Sequence, residues 1–285
     1  MLIVRGEMPM GGSDRRTPVA LVSSVIKATA AGVDRVRRVP PGLVILLYHR
    51  VGRRTDVRVD LDAAVFRAQM EELAATKRVL PIATAVAELA AGASLDDAVV
   101  VTFDDGTADF VEVALPILVD TGVAATLYAA TSFIENRTMF PDDGQPTTWA
   151  ALKEATSTGL VTVGSHTDTH LLLDRADPAT VADDLDRSVG LIQDHLEVSA
   201  DHFAYPKALL GTNQNEQLVK KRFVSAVVAG TRSNGPSSDP YRLARSPIQT
   251  TDAMTWFRHK AAGGLQFEDQ LRQFVNRARY RRAAT

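Results

Sequence analysis

The sequence predicts an α/β protein built on a parallel β-sheet, and two observations carry this prediction. Short apolar runs of strand length alternate with amphipathic helical segments from about residue 43 onward, and no segment repeats another. This alternation, with about seven strands, implies parallel strands joined by crossover helices. A closed barrel and an open doubly wound sheet both satisfy it, and in both the functional groups collect at the carboxyl ends of the strands.

The elements are predicted in order from local pattern. Pro40, Pro41 and Gly42 mark a boundary between an N-terminal extension over 1–40, partly disordered or helical, and a folded domain over 41–285. Proline after Asp177 suits the first turn of a long helix. Apolar runs predict strands near 43–49, 79, 98–104, 124–129, 160–165, 202–206 and 223–228. Helical periodicity predicts helices near 62–75, 84–91, 108–120, 149–156, 177–197, 215–221, 251–262 and 267–279.

The composition limits which metal ligands and which binding partners the protein can have. The 285 residues include six histidines and no cysteine, so disulfides and thiolate metal sites are excluded and histidine and carboxylate are the strong metal ligands. A net charge of −2 gives no electrostatic case for nucleic-acid binding. No apolar run is long enough to span a bilayer and no clear signal peptide precedes the domain, so the default expectation is a cytoplasmic protein.

The central strand ends in two adjacent carboxylates. The stretch VVVTFDDG, residues 99–106, leads directly into Asp104, Asp105 and Gly106. Consecutive side chains point to opposite faces inside a strand, but a turn at Gly106 can bring both aspartates to one mouth. Close carboxylates repel unless a cation or a shared proton intervenes. The stretch therefore predicts a metal site or an acid/base site, with an acidic turn that caps the strand as the alternative.

A second strand leads into GSHTDTH, where His166 and His170 stand four residues apart. If this segment forms a helical turn, the two imidazoles share a face and can converge on one ion. With one carboxylate from Asp104 or Asp105 they would form a two-histidine, one-carboxylate set, which leaves coordination positions open for water and substrate.

These motifs resemble those of the polysaccharide deacetylase family, the NodB-homology carbohydrate esterases. Thr102 to Gly106 reads TFDDG, residues 166–170 read HTDTH, and residues 203–206 read FAYP. The resemblance runs from LLYHRV near residue 46 to RLARSPI near residue 248. It implies a distorted barrel of about seven β/α units and a metal-dependent hydrolase that removes N-acetyl groups from an amino sugar in a poly- or oligosaccharide.

The resemblance also implies roles for individual residues. Asp105, His166 and His170 would bind a divalent metal, with Zn²⁺ the first choice, and Asp104 would be the general base. The backbone N–H of Tyr205 would stabilise the oxyanion. The family's late Leu-x-Leu-His motif is missing, because residues 246–249 read SPIQ. His49, in LLYHRV, resembles the acid histidine that one subgroup supplies from the N-terminal side.

Two further positions depart from the common pattern. Ala204 stands where many relatives have an arginine that positions the base, and Arg245 could replace it or be an ordinary ion-pairing arginine. Lys207 takes the place of an aromatic residue, so the substrate rim is expected to be altered. Trp149 could stack on sugar or pack in the core.

The expected partner is an N-acetylated carbohydrate. Two alternative functions remain open: a noncatalytic carbohydrate-binding protein and a metal amidase for small non-sugar amides.

Overall fold

A computed structural model describes residues 40–266, and these residues form a closed parallel β-barrel surrounded by helices. Seven parallel strands close it, in the order β1, β5, β6, β7, β8, β9, β10 and back to β1. Their bounds are β1 Val44–Tyr48, β5 Ala98–Phe103, β6 Ala125–Ala129, β7 Val161–Ser165, β8 His202–Ala204, β9 Ser225–Ala229 and β10 Leu243–Pro247. The closed barrel is thus the architecture that the resemblance implied.

Three short strands stand apart from the ring. The strands β2 Arg50–Val51 and β3 Asp60–Leu61 pair with each other, and β4 Arg78–Val79 pairs with the start of β5. The run near residue 79, counted among the predicted strands, therefore lies outside the barrel. The seventh barrel strand is β10, which was not predicted as a strand because its sequence, LARSP, contains a charge and a proline.

Helices surround the ring, except that Ile82–Ala90 packs its buried residues with the side chains inside the barrel. They are α1 Ala63–Thr76, α2 Ile82–Ala90, α3 Leu115–Thr121, α4 Thr131–Glu135, α5 Trp149–Ser157, α6 Pro178–Leu196, α7 Asn213–Arg222 and α8 Met254–Ala261. A π-helical segment, Phe110–Ala114, leads into α3. The predicted helix 267–279 and residues 1–39 of the predicted extension lie outside the described residues. Within 40–266, none of the helices has the length and apolar character needed to cross a membrane.

Alternation along the strands divides the core into two layers. On β5, Val99, Val101 and Phe103 pack outward with the helices, whereas Ala98 and Val100 pack inside the barrel. The inner face continues through Thr102 to Asp104. Because every barrel strand runs in the same direction, the carboxyl ends of β1, β5, β7, β8 and β10 meet at one mouth.

Candidate metal centre

The turn after β5 separates the two aspartates. Asp104 continues the inner face of the strand and is buried, while Asp105 takes a left-handed backbone with φ 74°. Aspartate tolerates that conformation better than most residues. Gly106 follows with φ 105°, and a Cβ there would lie 3.0 Å from Ile134 Cδ1, so this position favours glycine. The turn thus presents two carboxylates in different settings at one mouth.

Asp105, His166 and His170 converge. Oδ1 of Asp105 lies 3.8 Å from Nε2 of each histidine, and one ligand atom from each residue lies within 4.8 Å of the others. Two ligands at about 2.0–2.2 Å from an ion can be at most about 4.4 Å apart, so both 3.8 Å distances suit a shared divalent metal. Imidazole nitrogen and carboxylate oxygen are both common ligands of Zn²⁺.

The tautomer of His166 suits metal binding. Its Nδ1 lies 2.8 Å from the carbonyl oxygen of Ala204, which can only accept, so Nδ1 carries the proton and the Nε2 lone pair faces Asp105. Burial, with a smaller contribution from His166, lowers the pKa of His170 to about 4. The imidazole of His170 is therefore available as a neutral donor at neutral pH.

The histidine segment does not form the helical turn expected from its spacing. Residues 166–170 form an irregular turn in which Thr167 and His170 have φ values of 67° and 58°. The two rings still meet, with centroids 5.0 Å apart. The convergence was therefore predicted correctly, but the conformation that produces it was wrong, because contacts from outside the segment replace the helical hydrogen bonds.

Asp104 is held by Arg245. The Nη1 and Nη2 atoms of Arg245 donate to Oδ1 and Oδ2 of Asp104 at 2.6 and 2.8 Å, and Nη1 lies 3.2 Å from Thr102 Oγ1. Burial by itself would raise the pKa of Asp104, but the charge of Arg245, helped by His166 and His49, outweighs it and lowers the pKa to about 2. The carboxylate is therefore ionised and fixed in orientation.

Arg245 comes from β10, two strands beyond Ala204 around the barrel. Its guanidinium lies over the ring of Tyr128, 5.3 Å from the centroid, and both side chains are buried. Ala204 packs in the barrel interior near the same ring. Of the two interpretations of Arg245, the contacts support the one in which it positions Asp104. The sequence predicts that Tyr128 lies in a strand, but no local sequence pattern indicates that it lies near the site.

His49 follows β1 at the same mouth. The preceding residue, Tyr48, accepts a hydrogen bond at 3.1 Å from the Asp104 N–H, and the charge of His49 acts on Asp104. His49 is half-buried, and its Nδ1 is buried without a hydrogen-bond partner among residues 40–266. His49 thus lies at the same mouth as Asp104.

The backbone of Tyr205 is already engaged. Its N–H donates to the Val227 carbonyl at 3.1 Å, so an oxyanion could receive this donor only through a shared, three-centre hydrogen bond. The side chain packs outward against Phe203, with ring centroids 5.0 Å apart. Lys207 is exposed, has φ 54°, and its charge acts on His170, which places it at the rim of the site.

Other sequence candidates lie away from this centre. Trp149 stacks on His195 with centroids 4.6 Å apart, and its Nε1 donates to Glu135 at 2.8 Å, on the helices that surround the barrel. Trp149 also packs against the outer core. These contacts support the packing interpretation of Trp149. His202 bonds Ser225 at 2.9 Å near the opposite ends of the strands.

Part of the chain matches a known protein family in sequence. Residues 91–222 match the family model described as polysaccharide deacetylase. This segment contains the TFDDG and HTDTH motifs. No curated protein matches the chain in sequence.

Solved structures share the barrel. IcaB from Ammonifex degensii has a TM-score of 0.70 at 24% identity, covering 79% of this chain and 98% of its own. The deacetylase PplD of Streptococcus pyogenes, solved with acetate, has a TM-score of 0.69 at 19% identity, covering 78% and 99%. A de-N-acetylase from Aggregatibacter actinomycetemcomitans has a TM-score of 0.62 at 19% identity, covering 76% and 99%. At these identities the likeness establishes a common fold. The likeness to the polysaccharide deacetylase family extends over residues 91–222, the segment that contains both motifs.

Proposed function

We propose that this chain is a metal-dependent N-deacetylase that removes acetyl groups from an N-acetylated amino sugar in a poly- or oligosaccharide. One observation carries the proposal: a carboxylate and two imidazoles with the spacing of a metal site lie beside a second carboxylate that is buried and fixed by arginine. The structures with the same barrel include a deacetylase solved with acetate and a de-N-acetylase.

In the proposed reaction the two aspartates have different roles. Asp105, His166 and His170 would hold a divalent ion, which supplies Lewis-acid polarisation of the amide carbonyl and acidifies water. Asp104 would accept a proton from the attacking water, whose oxygen forms the new bond to the acetyl carbon. The C–N bond then breaks, and His49 would deliver a proton to the departing nitrogen, giving acetate and a free amino sugar.

The remaining residues would orient these groups. Arg245 keeps Asp104 ionised and holds both of its oxygens, which leaves the base little freedom to rotate. The N–H of Tyr205 would assist the developing oxyanion as a shared donor. The His166–Ala204 hydrogen bond would keep one imidazole aimed at the ion.

The test is release of acetate from an acetylated chitooligosaccharide, measured with protein stripped by chelator and then reloaded with Zn²⁺. We expect activity to disappear on stripping and to return with metal. Sugar binding without acetate release would instead favour a carbohydrate-binding protein. Turnover of simple amides alone would favour an amidase.

Three variants separate the assigned roles. Asp104→Asn should abolish turnover while still binding metal, and His166→Ala should lose both. His49→Gln should lower kcat by roughly 10²-fold or more with metal retained, because general acid catalysis is typically worth that much. A fully active Asp104→Asn protein would refute the mechanism, and an unchanged rate in His49→Gln would remove the acid role of that histidine.

A further inference from the structure

The turn that carries the two histidines is held in an intrinsically unfavourable conformation. Thr167 and His170 both have left-handed φ values, each of which costs a non-glycine residue about 1 kcal/mol or more. A backbone of this kind persists only where its surroundings determine it. The groups that stabilise this turn therefore decide where the imidazoles point.

The main such group is Asp184 on α6. Its Oδ1 accepts from the Asp168 N–H at 2.8 Å, and its Oδ2 accepts from the Thr169 N–H at 3.1 Å and from the Thr169 hydroxyl at 2.6 Å. The carboxylate is buried, with 8% of the residue exposed. Three donors on one buried carboxylate form a fixed, charge-assisted clamp on residues 168 and 169, which lie between the two histidines.

The other contacts on the turn come from α4 and from a second residue of α6. From α4, Thr131 donates its hydroxyl to Asp168 at 2.7 Å, and the Ser132 N–H and hydroxyl donate to the Asp168 carbonyl at 2.9 and 2.8 Å. From α6, Arg187 pairs with Asp168 at 2.9 Å, although its side chain is 59% exposed. The Thr131 N–H also donates to the Thr167 carbonyl at 3.3 Å, and Asp184 differs from these groups in that a single side chain bonds the backbone N–H groups of two successive residues.

We propose that Asp184 is a positioning residue for the metal centre: it sets the turn in which His166 and His170 aim their nitrogens at the same point. This inference rests on the proposed metal site. Asp184 touches neither substrate nor metal, and it acts through the backbone of residues 168 and 169. Groups of this kind, one step removed from the ligands, typically change metal affinity by about 10- to 100-fold.

The test is the Zn²⁺ affinity of the metal-free full-length chain, measured by competition with a chelator, for Asp184→Asn. The amide keeps the shape but replaces one acceptor oxygen with an N–H₂ group that faces donors. We expect Zn²⁺ to bind about 10-fold or more weakly. Zn²⁺ should also raise the Tm of the variant by less than it raises the wild-type Tm, because stabilisation by a ligand follows its affinity.

Asp186→Asn is the matched control. Asp186 lies on the same helix, two residues away, and its exposed carboxylate pairs with Arg222 at 2.7 Å instead of with the turn. This variant loses the same charge but should keep wild-type Zn²⁺ affinity. A purely structural role for Asp184 would lower the Tm of the metal-free protein while leaving the Zn²⁺-induced rise unchanged, and that result would overturn the inference.

A milder variant covers the case in which Asp184→Asn fails to fold. Thr169→Ala removes only the hydroxyl donor at an exposed position and should weaken Zn²⁺ binding by a few-fold. Wild-type affinity in the folded variants would refute the role of Asp184 while leaving the metal site standing. Failure of the wild-type chain itself to bind Zn²⁺ would overturn both this inference and the proposed function.

Discussion

At the scale of single residues, the site depends on a buried ion pair. Asp104 and Arg245 are 4% and 1% exposed, so neither charge is solvated by water and each depends on the other. The pair is bidentate, which satisfies both carboxylate oxygens. Removing either residue would leave the other charge buried and unpaired, which would destabilise the fold.

We expect Arg245→Leu to lower the free energy of unfolding by about 3–5 kcal/mol, because an unpaired carboxylate would remain buried. The pKa of Asp104 should rise, since burial then acts without the opposing charge. Urea denaturation at neutral pH measures the loss. Arg54→Leu, which breaks a half-exposed pair with Glu112, should cost about 1 kcal/mol or less, and an equal cost for both variants would contradict the argument.

His202 gives a second residue-scale prediction. Burial lowers the pKa of His202, so as pH falls through about 6.5 the unfolded chain takes up a proton that the folded chain does not. Stability should therefore decline with falling pH, by at most about 1.4 kcal/mol per pH unit from this group, until the folded-state pKa is reached. Comparing urea denaturation of wild type and His202→Gln at pH 7.5 and 5.5 isolates the contribution, and equal pH dependence would rule it out.

At the scale of elements, the position of β7 is set by close packing. A Cβ at Gly164 would lie 2.6 Å from the His202 carbonyl oxygen of β8 and 2.8 Å from Tyr128 Cδ1 of β6. The strand can thus approach both neighbours only with glycine here. Because His166 follows two residues later on the same face, this approach also sets the depth of that proposed metal ligand.

Gly164→Ala should therefore destabilise the fold by about 1–3 kcal/mol or more and weaken Zn²⁺ binding, because β7 must move away from β8. Thermal denaturation and chelator competition measure the two effects. Gly190→Ala is the control: it lies inside α6, and none of the atoms of residues 40–266 outside its own helix lies within 4 Å of a new Cβ, so this variant should be more stable by about 0.5–1 kcal/mol. Similar behaviour of the two variants would refute the packing argument.

At the scale of the whole molecule, ring closure assembles the site. β1 pairs with β5 on one side and β10 on the other, so the first and last strands of the ring are neighbours. This brings Arg245 to Asp104 across 141 residues of sequence. Without β10 the barrel would have two open edges and Asp104 would lose its partner.

We expect a fragment of residues 41–285 to unfold cooperatively, because a closed barrel forms within that range. A fragment of residues 41–241 lacks β10 and α8 and should not fold cooperatively. Circular dichroism during urea denaturation distinguishes the two outcomes. Cooperative unfolding of the shorter fragment would show that closure through β10 is dispensable, and failure of the longer one would place essential contacts in residues 1–40.

Much of this could be predicted from local sequence. The strands that carry Asp104, His166 and Tyr205 are short apolar runs, and the motifs follow directly after them. Strand β10 was missed because its charge and proline are typical of a loop; the barrel interior accommodates the charge by pairing Arg245 with Asp104. The irregular turn at residues 166–170 was missed because Asp184, which bonds its backbone, comes from a distant helix.

The sequence by itself determined the α/β class, the alternation of strands and helices, and the set of chemical groups at the strand ends, because these depend on local periodicity and on residue type. The tertiary structure alone decided that the sheet closes, that Arg245 rather than a residue of β8 holds Asp104, and that the histidine turn is irregular. Those outcomes depend on contacts between residues far apart in the chain, whose partners become neighbours only when the barrel closes.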